Sequence, residues 1–149
     1  MIEVRAVDWN DRDAERLRSA QEAEVSARYG VADSEPGPKP TADSITVFFV
    51  AYDGADPVGC GGLRAIDDLH GEVKRMYVVP ERRGSGVAVA LLRRLESDAE
   101  ARGWQRLVLE TGTAQPDAMR FYEREGYTAI PRFGYYVDSE ISLCYEKRF

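Results

Sequence analysis

A phosphate-binding loop is the strongest chemical signal in this sequence. A run of β-branched and aromatic residues ends at Pro80, and Arg82, Arg83, Gly84 and Gly86 follow directly before a helical pattern. The first N–H groups of a helix have no intrahelical partner, and the helix dipole favours an anion at that end. Glycines let a ligand approach the backbone closely. The stretch therefore predicts a site for a phosphate-bearing ligand, and its alternative is a tight turn with no ligand.

Two common phosphate-binding motifs do not fit this loop. The glycine pair lacks the third glycine and the spacing of a dinucleotide-binding fingerprint. The sequence also lacks a Gly-Lys-Ser/Thr triplet, which excludes a Walker loop. The ligand is therefore expected to be of another phosphate-bearing class.

The surrounding pattern predicts one domain, residues 1–149, with the element order β-α-β-β-β-α-β-α-β-β. Helices are expected from Asn10 or Asp11 to about residue 28, and over residues 86–102 and 116–125. A crossover between the strands at 72–79 and 106–111 must be parallel, whereas the preceding hairpins are antiparallel. The fold class is therefore α/β, with a mixed sheet of six to seven strands and helices on both faces. The remaining strands are expected over residues 2–7, 45–52, 58–66, 127–130 and 141–147.

Composition limits the classes of partner and the cellular compartment that we expect for this protein. The net charge of −6 argues against a nucleic-acid binder, which usually has a basic face. No apolar run approaches the length needed to span a bilayer, and the first residues lack the core of a signal peptide. Cys60 and Cys144 are isolated, without metal-ligand spacing, so they are expected to be buried thiols. We expect a cytoplasmic protein that binds no metal, no nucleic acid and no membrane.

Two motifs resemble those of the GNAT superfamily of N-acetyltransferases. Arg83-x-x-Gly86-x-Ala88 matches the signature R/Q-x-x-G-x-G/A and follows the strand after which the family carries it. About 30 residues later, the segment from Gln115 to Tyr127 resembles the family pattern N-x-x-A-x-x-F-Y-E-x-x-G-F. Gln115 stands where the family has Asn and keeps a hydrogen-bonding amide. The resemblance implies a GNAT-like fold over nearly the whole chain and the use of acetyl-CoA.

The resemblance also implies which residues bind the cofactor. In the family, the fourth strand carries a bulge and separates from the fifth, and the pantetheine arm lies in the gap. The fourth strand would contribute Met76, Tyr77 and Val78, with the backbone of Met76 and Val78 pairing with pantetheine. The other implied cofactor-binding residues are Arg83, Gln115 and Tyr122, together with the pyrophosphate-binding loop residues Gly84, Ser85, Gly86, Val87, Ala88 and Val89.

The implied reaction is direct attack of a neutral primary amine on the acetyl thioester in a ternary complex. It needs a base for the amine and an acid for the departing thiolate. Tyr122 matches the family's acid. Glu72 and Glu110 are alternative bases, since both stand where some family members carry a catalytic carboxylate. The structural alternative for each is a packed aromatic or an ion-paired surface group.

The expected function is acetyl transfer to a primary amine of a small molecule or peptide. The alternatives are a non-catalytic acyl-CoA-binding sensor, which would need neither Tyr122 nor a base, and an enzyme that uses a longer acyl group. Residues 20–44 and 131–140 are expected to choose the acceptor, because they flank the predicted site without a regular pattern. The C-terminal strand offers a sheet edge that a homodimer could use.

Overall fold

The computed structural model describes residues 1–30 and 36–149, whose strands form one mixed seven-stranded sheet. The predicted element order and fold class are confirmed. The stretch over residues 20–44 that is expected to choose the acceptor includes 31–35, which lie outside the described residues. Short 3-10 turns follow the fourth strand at Pro80–Arg82 and precede the last strand at Gly134–Tyr136. The helices and strands are β1 (Ile2–Val7), α1 (Arg12–Tyr29), β2 (Val47–Asp53), β3 (Asp56–Ala65), β4 (His70–Val78), α2 (Val87–Ala101), β5 (Arg106–Gly112), α3 (Pro116–Arg124), β6 (Thr128–Ile130) and β7 (Ser142–Arg148).

Alternation along β2 gives the sheet two apolar faces. Phe48 and Val50 pack with Leu17 of α1 on one face. Phe49 points to the other face and packs in the core that contains Leu91 of α2. Successive strand residues point to opposite faces, so a run that is apolar at every position requires a cover on both sides. Helices α1 and α2 supply those two covers.

The apolar face of α2 fixes its N-terminus beside the end of β4. Leu91, Leu92, Leu95 and Ala99 recur at helical spacing and are fully buried. Trp104 follows the helix and joins the same core. Because this packing holds the whole helix against the sheet, the glycine loop that precedes it is held in place at both ends.

Two expectations about the C-terminal part need correction. Tyr127 was expected to open the sixth strand, but its ring packs in the core and its hydroxyl donates to Glu96 Oε2 at 2.9 Å, so β6 begins at Thr128. The last strand was expected to be a sheet edge. The order β1-β2-β3-β4-β5-β7-β6 instead places β7 between two partners, and β1 and β6 are the outer strands. A homodimer could not use β7 as a free edge.

Candidate active site

Strands β4 and β5 pair briefly and then separate. Their parallel pairing runs from His70 opposite Arg106 to Glu72 opposite Val108. Beyond that point β4 continues to Val78 and β5 to Gly112 without further pairing between them. The separation leaves a gap in the middle of the sheet, as the family resemblance implies.

A β-bulge in β4 accompanies this separation. Tyr77 pairs with Cys60 and Lys74 pairs with Gly62, so three steps along β4 match two steps along β3. Arg75, inside the bulge, has φ of 58°, which is unusual for a residue with a side chain. A bulge bends its strand and increases the local twist. Here it directs the end of β4 away from β5.

Two openings meet at the gap. A groove of about 540 Å³ runs between the end of β4, the loop before α2, and α3. A smaller cleft of about 140 Å³ lies between α1 and the separated strands. Four residues line both openings and so mark their junction: Met76, Gln115, Ala118 and Tyr122.

The glycine loop leaves open space at the start of α2. Gly84 and Gly86 have φ of 77° and 92°, and a Cβ at either position would meet no atom within 4 Å. Gly86 is the N-cap of α2 and makes no side-chain cap, so the following N–H groups face the groove without intrahelical partners. Ala88 and Val89 line the groove with these glycines. The arrangement suits a phosphate group.

The other predicted loop residues contribute differently. The side chain of Val87 is buried against the core. The Ser85 hydroxyl donates to the carbonyl of Arg82. The groups of these two residues that a ligand could contact are therefore their backbone N–H groups, which is the role that the resemblance implies for them.

The loop arginines are neutralised by carboxylates from other elements. Arg82 pairs with Asp53 at the end of β2. Arg83 Nε donates to the carbonyl of Val78 at 3.0 Å, and its Nη2 contacts both carboxylate oxygens of Glu24 at 2.8 and 3.0 Å. Arg83 thus ties the end of β4 to α1. The sequence did not reveal these partners, because Asp53 and Glu24 lie far away in the chain.

Cations from α1 and α3 also line the groove, although no sequence motif marks them as cofactor-binding. They are Arg28, Arg120 and Arg124. Arg120 pairs with Asp117 on the same helix, and Arg124 Nε lies 3.4 Å from Glu125. The sequence feature that could have indicated them is the four-residue spacing of Arg120 and Arg124, which places both side chains on one face of α3.

The end of β4 presents backbone rather than side-chain chemistry to the groove. Met76, Tyr77 and Val78 all line it. The Tyr77 ring is largely buried under α1, and the Arg83 guanidinium lies 5.6 Å from its centroid. Burial raises the pKa of the Tyr77 hydroxyl. The bulge and the lost partner strand leave this stretch open to pair with an extended ligand.

Gln115 is held by hydrogen bonds to its side-chain oxygen. Gln115 Oε1 accepts from the N–H of Gly112 at 3.2 Å, and the Tyr29 hydroxyl lies 3.5 Å from it. The Tyr29 hydroxyl in turn accepts from the N–H of Ala114 at 3.2 Å. Because the oxygen is used in this way, the amide NH₂ is the part that remains for the junction of groove and cleft.

Tyr122 is buried at that junction. It is 7% exposed, and its ring packs edge-to-face on Phe121 and Tyr127 with centroids 5.2 and 5.7 Å away. Within the described residues its hydroxyl makes no hydrogen bond. Burial raises the pKa of this phenol, which keeps the proton on the oxygen. The phenol therefore stays protonated near neutral pH and can act as a donor, but the same shift makes it a weaker acid than an exposed tyrosine.

The two candidate carboxylates occupy different surroundings. Glu72 is 3% exposed, contacts Arg64 Nη2 at 3.0 Å and Lys74 Nζ at 3.6 Å, and accepts from the Tyr136 hydroxyl at 2.6 Å. It is not among the described residues that line the cleft. Glu110 does line the cleft, and it accepts from the Ser142 hydroxyl at 2.7 Å. The structure thus brings Glu110, and not Glu72, to the same opening as Tyr122.

Polar groups in the cleft include several that no sequence motif marks. Among the described residues, Gln21 Oε1 and Thr111 Oγ1 are buried without a hydrogen-bond partner. Both residues line the cleft, as do the cations Lys74 and Arg75. Lys74 is 5% exposed and donates to the Tyr136 hydroxyl at 3.0 Å. The sequence feature that could have indicated these buried charges is the two-residue spacing of Glu72 and Lys74, which places both on one face of an otherwise apolar strand.

A mixed sheet that splits between β4 and β5, with a glycine loop and a helix N-terminus beside the split, defines the acyl-CoA N-acyltransferase fold. The chain belongs to the acetyltransferase (GNAT) family, whose model matches residues 8–127. The predicted family and the predicted enzyme class, an acyltransferase, are confirmed.

Individual relatives agree with this assignment. A protein named IAA acetyltransferase from Azospirillum brasilense is 41% identical over 102 residues, covering 67% of this chain and 66% of the relative, so the match spans just under two thirds of that protein. A candidate acyl-CoA N-acyltransferase from Klebsiella pneumoniae superposes with a TM-score of 0.85 and 26% identity, over 99% of this chain and 97% of that one. A GNAT acetyltransferase from Elizabethkingia anophelis, solved with acetyl-CoA bound, shares the fold with a TM-score of 0.74 and 15% identity, over 99% and 98% of the two chains.

Two kinds of feature are absent from the described residues. In residues 1–30 and 36–149, no helix is long and apolar enough to cross a membrane. In the same part of the chain, no group of three or more His, Cys, Asp or Glu residues is placed to hold a metal ion.

Proposed function

We propose that this chain transfers an acetyl group from acetyl-CoA to a primary amine by direct attack within a ternary complex. The observation that carries the proposal is the meeting of two openings at Met76, Gln115 and Tyr122. A cofactor in the groove and an amine in the cleft would bring their reacting atoms together at that junction, which is the main requirement of a direct transfer.

Acetyl-CoA fits the groove by its chemistry. The pyrophosphate would bind the N–H groups from Gly84 to Val89, near the arginines of α3. The pantetheine arm has amide groups that can pair with the exposed backbone of Met76 and Val78. The thioester would then reach the gap between β4 and β5, with its carbonyl near the backbone N–H donors of β4.

The acceptor amine fits the cleft. An ammonium or amine needs hydrogen-bond acceptors, and the cleft offers the carboxylate of Glu110 together with the buried Gln21 Oε1 and Thr111 Oγ1. Buried polar atoms without partners are unfavourable, so a ligand that supplies N–H groups would be stabilised there. The carboxylate among these acceptors favours an amine over a neutral alcohol or thiol.

Glu110 is the base that we propose, and Tyr122 is the acid. Glu110 removes a proton from the acceptor's ammonium, and the neutral amine then attacks the thioester carbonyl. The C–S bond breaks as the N–C bond forms, and Tyr122 protonates the departing thiolate. Glu72 is better explained as the partner of the buried cations Arg64 and Lys74, whose charges it balances.

The experiment is a screen for CoA release with a panel of primary amines: an amino acid, a polyamine, an aminoglycoside and a peptide with a free N-terminus. Release of CoA that depends on one of these amines is the expected result. Tight acetyl-CoA binding without turnover on the whole panel would contradict the proposal and favour the acyl-CoA sensor.

Paired variants then test the base with the best amine. In Glu110→Gln, kcat should fall near pH 7 by about 10²-fold, and the loss should shrink near pH 10, where free amine exists without a base. In Glu72→Gln, removal of a buried charge partner should lower the thermal midpoint, and any loss of activity should persist at high pH. A pH-dependent loss in Glu72→Gln but not in Glu110→Gln would reverse the assignment.

A further inference from the structure

We infer that Ser142 and Ser139 form a proton relay that carries the proton taken up by Glu110 from the cleft to bulk solvent. The inference rests on the proposed function, because it concerns the fate of the proton that the base removes. It adds two hydroxyl groups that act through Glu110 and that no family motif identifies.

The relay is a chain of three oxygen-bearing groups. Ser142 Oγ lies 2.7 Å from Glu110 Oε2 and 2.8 Å from Ser139 Oγ. A hydroxyl has one proton, so when Ser142 donates to the carboxylate, Ser139 must donate to Ser142. Ser142 is fully buried, whereas Ser139 is half-buried and reaches the surface. The chain therefore runs from the wall of the cleft through the protein to water.

The backbone places both hydroxyls independently of their own contact. The N–H of Ser142 donates to the carbonyl of Ser139 at 3.2 Å, and the N–H of Ser139 donates to the carbonyl of Tyr136 at 3.0 Å. Arg132 Nε donates to the carbonyl of Ser142 at 3.1 Å. Since main-chain bonds fix this turn, removing one hydroxyl should leave the other in place.

The proton count of the reaction requires an exit. An ammonium and acetyl-CoA give an amide, CoA as a thiol, and one proton released to solvent. The amine nitrogen loses one proton to Glu110 before attack and a second after the N–C bond forms, and the second balances the proton that Tyr122 gives to the sulfur. The proton on Glu110 remains, and it must leave before the next turnover.

Among the described residues, two other groups that carry an exchangeable proton lie near Glu110. Burial raises the pKa of both Tyr29 on α1 and Cys144 on β7, so neither is an anion that could take the proton near neutrality. Ser142 is distinguished by its hydrogen bond to the Glu110 carboxylate and by its contact with a hydroxyl that reaches the surface. The cationic side chains of the cleft are donors only. In the relay, Glu110 gives its proton to Ser142 Oγ, Ser142 passes its own to Ser139, and Ser139 passes its own to water. The further charged residues that line the same cleft are Glu22, Lys39, Lys74 and Arg75.

The test compares Ser142→Ala with the parent and with Ser97→Ala, a matched removal of an exposed hydroxyl on α2. Turnover is followed with saturating amine across pH, with and without N-methylimidazole, a small buffer base that cannot form a stable amide. Ser142→Ala should lose about 10-fold in kcat on the plateau of its pH–rate profile, and added N-methylimidazole should restore most of it. The parent and Ser97→Ala should not respond to the buffer.

Three outcomes would overturn the relay. The first is an unchanged kcat in Ser142→Ala, and the second is a loss of kcat that the buffer does not restore. The third is a shift of the acidic limb of the pH–rate profile with an unchanged plateau, which would mean that Ser142 only adjusts the ionisation of Glu110. Glu110→Gln in parallel separates the two proposals. If that variant keeps the parental pH–rate profile, then the base assignment has failed, whereas loss in Glu110→Gln with no buffer response in Ser142→Ala contradicts the relay alone.

Discussion

Replacing Tyr122 by Phe removes one oxygen from the junction of the two openings. The hydroxyl makes no hydrogen bond within the described residues, so its loss leaves no partner unsatisfied, and the ring contacts with Phe121 and Tyr127 remain. We therefore expect a shift in the thermal midpoint of less than about 2 °C. Acetyl-CoA affinity should be unchanged, because in the proposed binding mode the phosphates lie at the other end of the groove.

The loss of activity should be large by comparison. General acid catalysis contributes about 10²–10⁴-fold, and a thiolate with an ordinary pKa of about 8.5 is a good enough leaving group to favour the lower end. A 10²-fold fall in kcat corresponds to about 2.7 kcal/mol of lost transition-state stabilisation. Because burial raises the pKa of Tyr122, the parental enzyme should not lose activity as the pH rises through the ordinary tyrosine range near 10.

The assay is CoA release with saturating amine at several pH values, together with calorimetric titration and thermal unfolding. Tyr145→Phe is the matched control, since Tyr145 is also buried but its hydroxyl lies 3.4 Å from Glu123 and away from the groove and the cleft. A Tyr122→Phe enzyme that binds acetyl-CoA and turns over at the parental rate would remove Tyr122 from the mechanism. A variant that fails to fold would support a purely structural role for this aromatic residue.

Two glycine substitutions test the loop and the sheet. Gly86→Ala should weaken acetyl-CoA binding by more than about 10-fold in calorimetry, because it adds a methyl group to a residue that lines the groove. Gly103→Ala, with a similar φ of 82° at the far end of α2, carries the same backbone strain and should bind normally. Equal affinities in the two variants would contradict the phosphate site. Gly71→Ala should destabilise the fold by about 1–3 kcal/mol in chemical denaturation, because its Cβ would lie 2.1 Å from the Trp104 ring, and an unchanged midpoint would show that the ring moves aside freely.

Local patterns predicted most of the fold. Helix α2 follows from leucines at helical spacing and from Gly103 after its end, and Asp11 caps α1 by accepting from the N–H groups of Asp13 and Ala14. These signals act within a few residues, so one sequence contains them in full. The position of β7 does not follow in this way. Pairing with β6 alone would leave β7 as an edge strand, whereas β7 also pairs with β5, which lies more than 30 residues earlier in the chain.

In the site, too, the features set by local motifs could be predicted and those set by distant partners could not. The glycine loop and Tyr122 are local motifs, and both lie where the sequence places them in the fold. The surroundings of Glu72 could not be predicted, because Tyr136 reaches Glu72 and Lys74 across 64 and 62 residues of chain. The charge balance of a buried carboxylate depends on such distant partners. The sequence therefore could not choose between Glu72 and Glu110 as the base, whereas the geometry favours Glu110.

The bulge in β4 connects the fold to the proposed chemistry. A left-handed conformation at Arg75 is unfavourable by about 1–3 kcal/mol and persists only where the surroundings fix it. Here the Cys60 thiol donates to the Arg75 carbonyl at 3.3 Å, and the buried guanidinium approaches Glu22 at 3.9 Å. A regular strand at this position could keep pairing with β5, which would close the gap where groove and cleft meet. Among the described residues, Arg75 is the non-glycine residue with a positive φ, and it lies in the bulge that accompanies the separation of β4 from β5.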